Sequence, residues 1–346
     1  MLADEIVELA GIPAPTFSED GRLAWLERRL AGAPGWRHRD GVGSLIWSWG
    51  EGRPRLLLLA HVDTVFAKET SLRFRRESGF LVGPGIGDNA AAVVVVLHVV
   101  EELLARGPLA AGAVAFTVCE EGLGNLRGAR AACEGLRPEA AIALEGHGLE
   151  KVIVEAVGSV RARVHVTGPG GHSWVDRSRP SAIHALLALG AELTVRSTPE
   201  TPVNIGLVSG GRSVNAIAAE AELMVEMRAL DEAPLDAFVR TLSGLSVPAP
   251  LVVSVEVVGR RPAGRTPRDA PLLAAVRAAR SELGLPDALD AGSTDANAAL
   301  ALGIPALTLG VSHGSDMHTE EERIEVASLE LGRRQLEAVL CRVLAA

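Results

Sequence analysis

Tyrosine is absent from the 346-residue chain, so no phenol acts as acid or base and no phenolic hydrogen bond orders the core. Cysteine is scarce. Cys119, Cys133 and Cys341 are an odd number with no C-x-x-C spacing, which argues against a disulfide framework or a thiolate zinc site. Any metal must therefore sit on His, Asp and Glu. There is no basic excess either: 34 Lys+Arg stand against 43 Asp+Glu, a formal charge of -9, and the basic residues are scattered. That balance excludes the basic face a nucleic-acid binder needs. The longest apolar run, Ala90 to Val100, is too short to span a bilayer and contains His98. Met1-Leu2-Ala3-Asp4-Glu5 is acidic where a signal peptide carries positive charge. The expectation is a soluble, cytoplasmic protein without a nucleic-acid or membrane partner.

What is present is apolar and periodic. The chain is 48% hydrophobic and 22% charged, which excludes disorder, and its length suits two domains or one large one. Residues 3–11 and 19–31 have helical spacing. Leu45–Trp49, Arg55–Ala60, Gly112–Val118 and Ala140–Leu144 read as strands, with helices over Asn89–Arg106 and Asn125–Glu134. Continuous apolar strands separated by helices predict a parallel or mixed sheet covered on both faces.

From about Val157 the texture changes. Ser159–Thr167 alternates apolar and polar, as do parts of 203–208 and 220–230, and Leu251–Val258 makes a fourth strand, with helices near 180–196 and 232–244. That order predicts a small open sheet with helices on one face. After an expected linker at Arg260–Gly264, a helix over 270–283, a strand at 304–309 and a helix over 326–344 resume the first texture. The predicted fold is α/β: a mixed-sheet domain of residues 1–156 and 264–346, with an α+β domain of residues 157–263 inserted into it.

Each apolar strand of the larger domain ends in ligand-type side chains. These are His61-Val62-Asp63, Asp88 after a Gly-Pro-Gly-Ile-Gly turn, Glu120-Glu121, Glu145, and His318 after the last strand. In open α/β sheets the crevice beyond the carboxyl ends of the strands binds ligands. Bare like charges gathered there would repel one another, whereas divalent cations turn the repulsion into coordination. Five ligands with one bridging carboxylate suffice for two metals. Of Glu120 and Glu121, one can bind metal while its neighbour takes a proton from the attacking water.

These residues carry a resemblance to the co-catalytic di-zinc exopeptidases and amidohydrolases, a family that includes carboxypeptidase G, peptidase T, acetylornithine deacetylase and aminoacylase. It rests on nine ordered patches: H-V-D, G-P-G-I-G-D-N, E-E-G, L-E-G, G-G-H-S, N-I-G-L-V-S-G-G-R-S-V-N, E-M-R, G-S-T-D and H-T-E-E-E. The resemblance implies two divalent ions, Zn2+ with Co2+ or Mn2+ as substitutes. His61, Asp88 and Glu145 would hold one, and Asp88, Glu121 and His318 the other. It implies Glu120 as general base, Asp63 orienting His61, and a cis peptide between Asp88 and Asn89. It also implies that the inserted domain is a lid that dimerises and brings His172, Asn215 and Arg228 to the substrate carboxylate or oxyanion. Two departures stand out: Asn89-Ala90-Ala91-Ala92 where many members carry a Lys-Gly-Gly-like run, and Glu226 where the family has Asp.

The implied activity is hydrolysis of an amide in a short peptide or N-acyl amino acid bearing a free α-carboxylate, as a carboxypeptidase or deacylase would perform it. The alternative is a di- or tripeptide aminopeptidase of the same family. A remote alternative is a serine hydrolase using Ser312, since Gly310-Val311-Ser312-His313-Gly314 matches G-x-S-x-G after an apolar strand. His147 and His313 lie close to proposed ligands and are candidates to support them. Cys119 is expected to pack as a small hydrophobe.

Overall fold

The computed structural model describes residues 2–345, and its contacts divide the chain into two units. One comprises the residues up to Ala156 and from Arg265 onward; the other is Val157–Gly264. In the first unit four strands lie parallel and adjacent, in the order Gly112–Thr117, Leu56–His61, Ala140–Glu145, Ala306–Gly310. Leu45–Trp49 and then Trp36–Arg39 add antiparallel on one side, and Val152–Ala156 adds antiparallel on the other, itself paired with Leu289–Gly292. The α/β mixed sheet read from the sequence is the observed one.

The parallel strands are apolar throughout because both faces are covered. Leu56, Leu58, Val114, Phe116, Ile142 and Leu307 point into a core closed by Leu2–Ala10, Asp20–Arg29, Ala92–Arg106, Pro271–Glu282 and Val326–Val343. Leu57, Leu59, Ala113, Ala115, Ala141 and Ala143 point the other way, onto Arg127–Leu136 and Ala296–Ala301. The alanines on that face let the two helices come close. Each fully buried leucine contributes about 1.5–3 kcal/mol, so the sheet is a rigid base for what its ends carry.

The register aligns those ends. His61 lies opposite Thr117, and Glu145 opposite Gly310, so His61, the 118–121 turn and Glu145 leave the sheet along one edge. The long helix expected over Asn89–Arg106 begins at Ala92. Before it, Ile86–Ala91 forms a wide turn in which Asp88 and Asn89 depart from helical angles, and the Asp88–Asn89 peptide is cis.

In the second unit Val203–Gly210, Glu220–Ala229, Gly158–Thr167 and Val252–Arg261 form an antiparallel sheet in that order. Val160, Ala162, Val164 and Val166 face a core closed by Ala182–Thr194 and Glu232–Ser243, while Arg161, Arg163 and His165 point outward. Arg260 and Arg261, read as linker, instead continue the last strand, and Arg261 is buried. Val203–Gly210 is an edge strand with Leu207 and Val208 exposed. Among the described residues no helix is long and apolar enough to cross a membrane.

Candidate metal centre

Asp88 is the hub of the site. Its Oδ1 lies 3.0 Å from His61 Nε2 and its Oδ2 lies 3.0 Å from His318 Nε2. Glu145 Oε2 approaches His61 Nε2 at 3.6 Å, and Glu121 Oε1 approaches His318 Nε2 at 3.2 Å. Two triplets result, His61–Asp88–Glu145 and Asp88–Glu121–His318. Within each, one donor atom per residue lies within 4.8 Å of the others, and a third group of the same kind joins His61 to Glu120 and Glu121.

The donor set fits divalent cations on its chemistry. Three carboxylates and two imidazoles converge, each Asp88 oxygen is turned to a different imidazole, and all but His318 are buried or nearly so. The electrostatics show the tension. Burial pushes the Glu145 carboxyl up to about 7, with Asp88 and Asp295 adding to it and the His61 hydrogen bond opposing. Burial also disfavours an ionised Asp88, yet its hydrogen bonds with His318 and His61 hold it far below the usual carboxylate range. Asp88 and Glu121 raise His318 to about 10. His61 is pulled down by burial but held well above its ordinary value by Asp63, Asp88 and Glu145.

Asp63 is fully buried and does more than orient a histidine. His61 Nδ1 lies 3.1 Å from the Asp63 carbonyl oxygen and 3.5 Å from Oδ1, which turns Nε2 toward Asp88. The same carboxylate accepts the backbone N–H of Glu120 at 3.0 Å and of Glu121 at 2.9 Å, and the Thr16 hydroxyl at 2.8 Å. One residue thus ties the His61 strand to the turn carrying Glu120 and Glu121. Cys119 packs inside that turn at a φ of 58°; Glu19 Oε1 accepts its N–H, and burial raises the thiol to about 12.

Several contributors escaped the sequence reading. Asn89 is fully buried, and its side-chain amide donates to the Leu144 carbonyl at 2.8 Å, fastening the Asp88 turn to the strand that ends in Glu145. Arg22 is buried and donates to the carbonyls of Ile12, Val62 and Ala10; burial lowers it to about 10. Glu322 is fully buried behind Asp88, and His147 bonds to it at 2.7 Å. Of these, only Glu322 and Asn89 fell inside quoted motifs.

The Ser312 alternative is overturned. Ser312 is fully buried, and its hydroxyl donates to the Gly146 carbonyl at 2.5 Å. A short strand, Gly314–Ser315, follows it instead of the helix that a nucleophile elbow needs. His313 is likewise no support for the site, because its Nδ1 lies 3.3 Å from Glu150 at the surface.

In the second unit His172 and Asn215 lie close together. Gly171–His172 pairs with Ala216–Ile217, and Ser173 N–H donates to the Asn215 carbonyl at 3.0 Å. Both are exposed. Arg228 lies elsewhere, near the far end of Glu220–Ala229 and opposite Ser159. At ~3.3 Å per residue, that strand carries it roughly 26 Å from Glu220. Its Nε donates to Glu226 at 3.0 Å, and Glu226 also accepts from Arg161 at 2.8 Å. One copy of this unit does not gather the three expected substrate residues.

A parallel-centred sheet with paired imidazoles and acids at its carboxyl edge is an arrangement that suits a metal-dependent hydrolase. Residues 57–342 match the model of peptidase family M20/M25/M40, and the chain belongs to that family. Among curated relatives, acetylornithine deacetylase of Edwardsiella ictaluri is 28% identical over 265 residues, 67% of this chain and 67% of that protein. Carboxypeptidase G2 of a Pseudomonas species is 26% identical over 210 residues, 56% of this chain and 49% of that protein. The chain thus spans about half the length of several relatives it matches. A tripeptidase from Staphylococcus aureus has the same fold, with a TM-score of 0.82 at 22% identity over 99% of this chain and 97% of that one.

Proposed function

We propose that the protein hydrolyses the amide bond next to a free α-carboxylate in short peptides or N-acyl amino acids, with two divalent cations, zinc by preference. The observation that carries this reading is Asp88, whose two oxygens each face one imidazole, with Glu145 and Glu121 completing the triplets. His61, Asp88 and Glu145 would hold one cation and Asp88, Glu121 and His318 the other. When bound, such ions polarise the scissile carbonyl and make water acidic enough to attack at neutral pH.

The chain's own residues do the rest. Glu120 is buried at the end of the Asp63-held turn, beside His61 and Glu121. Its carboxylate takes the proton of the attacking water and delivers it to the leaving amine. Asp63 keeps that carboxylate and the His61 ring in fixed relation. Arg228 supplies a forked cation for the substrate carboxylate, and His172 and Asn215 supply donors for the oxyanion. The separation of Arg228 from His172 within one unit supports a homodimer in which His172 and Asn215 serve the partner's site. The open edge Val203–Gly210, with Leu207 and Val208 exposed, supports the second unit as the contact.

Comparing kcat/KM for a dipeptide, its N-acetyl form and its C-terminal amide tests the reading. Amidating the carboxylate should cost about 2–5 kcal/mol of transition-state binding, the penalty for leaving unpaired an Arg228 that is half-exposed in the free protein and desolvated by the bound substrate. An amide that is the best substrate, with the acetylated form inert, makes the enzyme an aminopeptidase.

A further inference from the structure

Glu322 has no assigned part, yet its side chain ties its own His318 loop to the Asp88 turn and to the Glu145–His147 segment. It is 0% exposed. Its Oε2 accepts the N–H of Gly85 at 2.7 Å; its Oε1 accepts the N–H of Gly87 at 3.1 Å and of Asp88 at 2.7 Å. His147 Nε2 lies 2.7 Å from the same Oε1. The Glu322 backbone carbonyl accepts the N–H of Gly83 at 2.8 Å. His318 stands four residues before Glu322, Glu145 two residues before His147, and Asp88 is bonded directly.

We propose that Glu322 is a positioning residue whose buried carboxylate fastens the Asp88 turn to the His318 loop and the Glu145–His147 segment, thereby setting the spacing of both metal triplets. The inference rests on the metal reading above. A carboxylate suits the place because it only accepts, and three N–H groups and an imidazole nitrogen converge on its two oxygens. The turn is built to admit it. A Cβ on Gly87 would lie 2.7 Å from Glu322 Oε1 and 2.2 Å from His147 Nε2, so glycine leaves the space that both side chains occupy. A buried negative charge beside Asp88 needs an opposite charge, and the buried Arg22 guanidinium attracts Glu322, Asp88 and Asp63 together.

Glu322→Gln is the informative change, because it keeps the shape but turns an NH2 group toward a backbone N–H. Zn2+ titration of metal-free protein against a competing chelator should show binding weakened about 10- to 100-fold, the range for partners that orient metal ligands. The visible spectrum of bound Co2+, which reports ligand geometry, should change while far-ultraviolet circular dichroism does not. Glu320→Gln and Glu321→Gln, at exposed neighbours, should match the wild type in both. Wild-type Zn2+ affinity and Co2+ spectrum in Glu322→Gln would overturn the proposal. If that variant does not fold, hydrogen exchange on the metal-free wild type decides. Slow exchange at Gly85, Gly87 and Asp88 is expected, and exchange at the rate of an open loop would refute it. A wild type that binds no divalent metal would count against the metal reading itself.

Discussion

At the scale of single residues, the site contains two carboxylates side by side whose duties differ by one peptide unit. Glu121 faces His318 and completes a triplet with Asp88, whereas Glu120 adjoins His61 and Glu121 without belonging to either proposed triplet, which supports the proposal that Glu120 carries the proton. Glu120→Gln keeps the shape and loses the base. Turnover should fall by about 100- to 10,000-fold with metal content unchanged, and near-normal turnover in the metal-loaded variant would remove Glu120 from the mechanism. Ser312→Ala is the opposite case. It deletes a buried bond to the Gly146 carbonyl, which should cost about 1–2 kcal/mol in denaturant unfolding and leave turnover within tenfold. Loss of all activity in a folded Ser312→Ala would revive the serine mechanism. His61, Asp88, Glu121, Glu145 and His318 were legible as candidate ligands because the first four follow an apolar run or a glycine turn and His318 comes after the last strand. Glu322 was not, since the last acid of Glu320-Glu321-Glu322 looks solvated until the fold buries it, and nothing in the sequence marks Arg22 as buried.

Among the elements, the long apolar strands were readable because Leu56–His61 and Ala140–Glu145 have no polar face to hide. Short strands such as Arg75–Glu77 and Phe80–Val82 lack both length and pattern, and exist only because Arg323–Glu325 pairs with the second of them. Arg260–Gly264 looked like a linker because Arg-Arg-Pro resembles one, but tertiary pairing extends the strand to Arg261. Two element contacts carry predictions. Gly332, in the last helix, rests on the backbone of Val311: an added Cβ would lie 1.9 Å from its carbonyl oxygen. Gly332→Ala must push the helix away, so it should lose at least about 1–3 kcal/mol in chemical denaturation, and wild-type stability would contradict this packing. Glu5, on the first helix, bonds to Arg29 and His98, while Arg29 grips Glu101 at 2.7 and 2.9 Å. Burial raises the Glu5 pKa, but the His98 and Arg29 bonds outweigh it, and the folded value lies below the ordinary 4.5. The contribution of Glu5 is therefore complete above the unfolded pKa and is lost as pH falls through the folded one. The stability gap between wild type and Glu5→Gln, about 1 kcal/mol near neutrality, should close in acid. A gap that widens there would reverse the assignment.

On the scale of the whole molecule, the proposal joins two units and two copies. If His172 serves the partner's site, mixing inactive Glu120→Gln with inactive His172→Ala chains should restore part of the activity, because each hybrid holds one intact composite site. No recovery after verified subunit exchange would confine His172 to its own chain. Beneath this lies the claim on which the rest depends, that one shared carboxylate holds two metals. The direct measurement is the metal stoichiometry of zinc-loaded, dialysed wild type and Asp88→Ala, with circular dichroism to establish that both are folded. The account predicts two ions per chain in the wild type and nearly none in Asp88→Ala. A wild type that retains no metal, or an Asp88→Ala that still retains two, would contradict it.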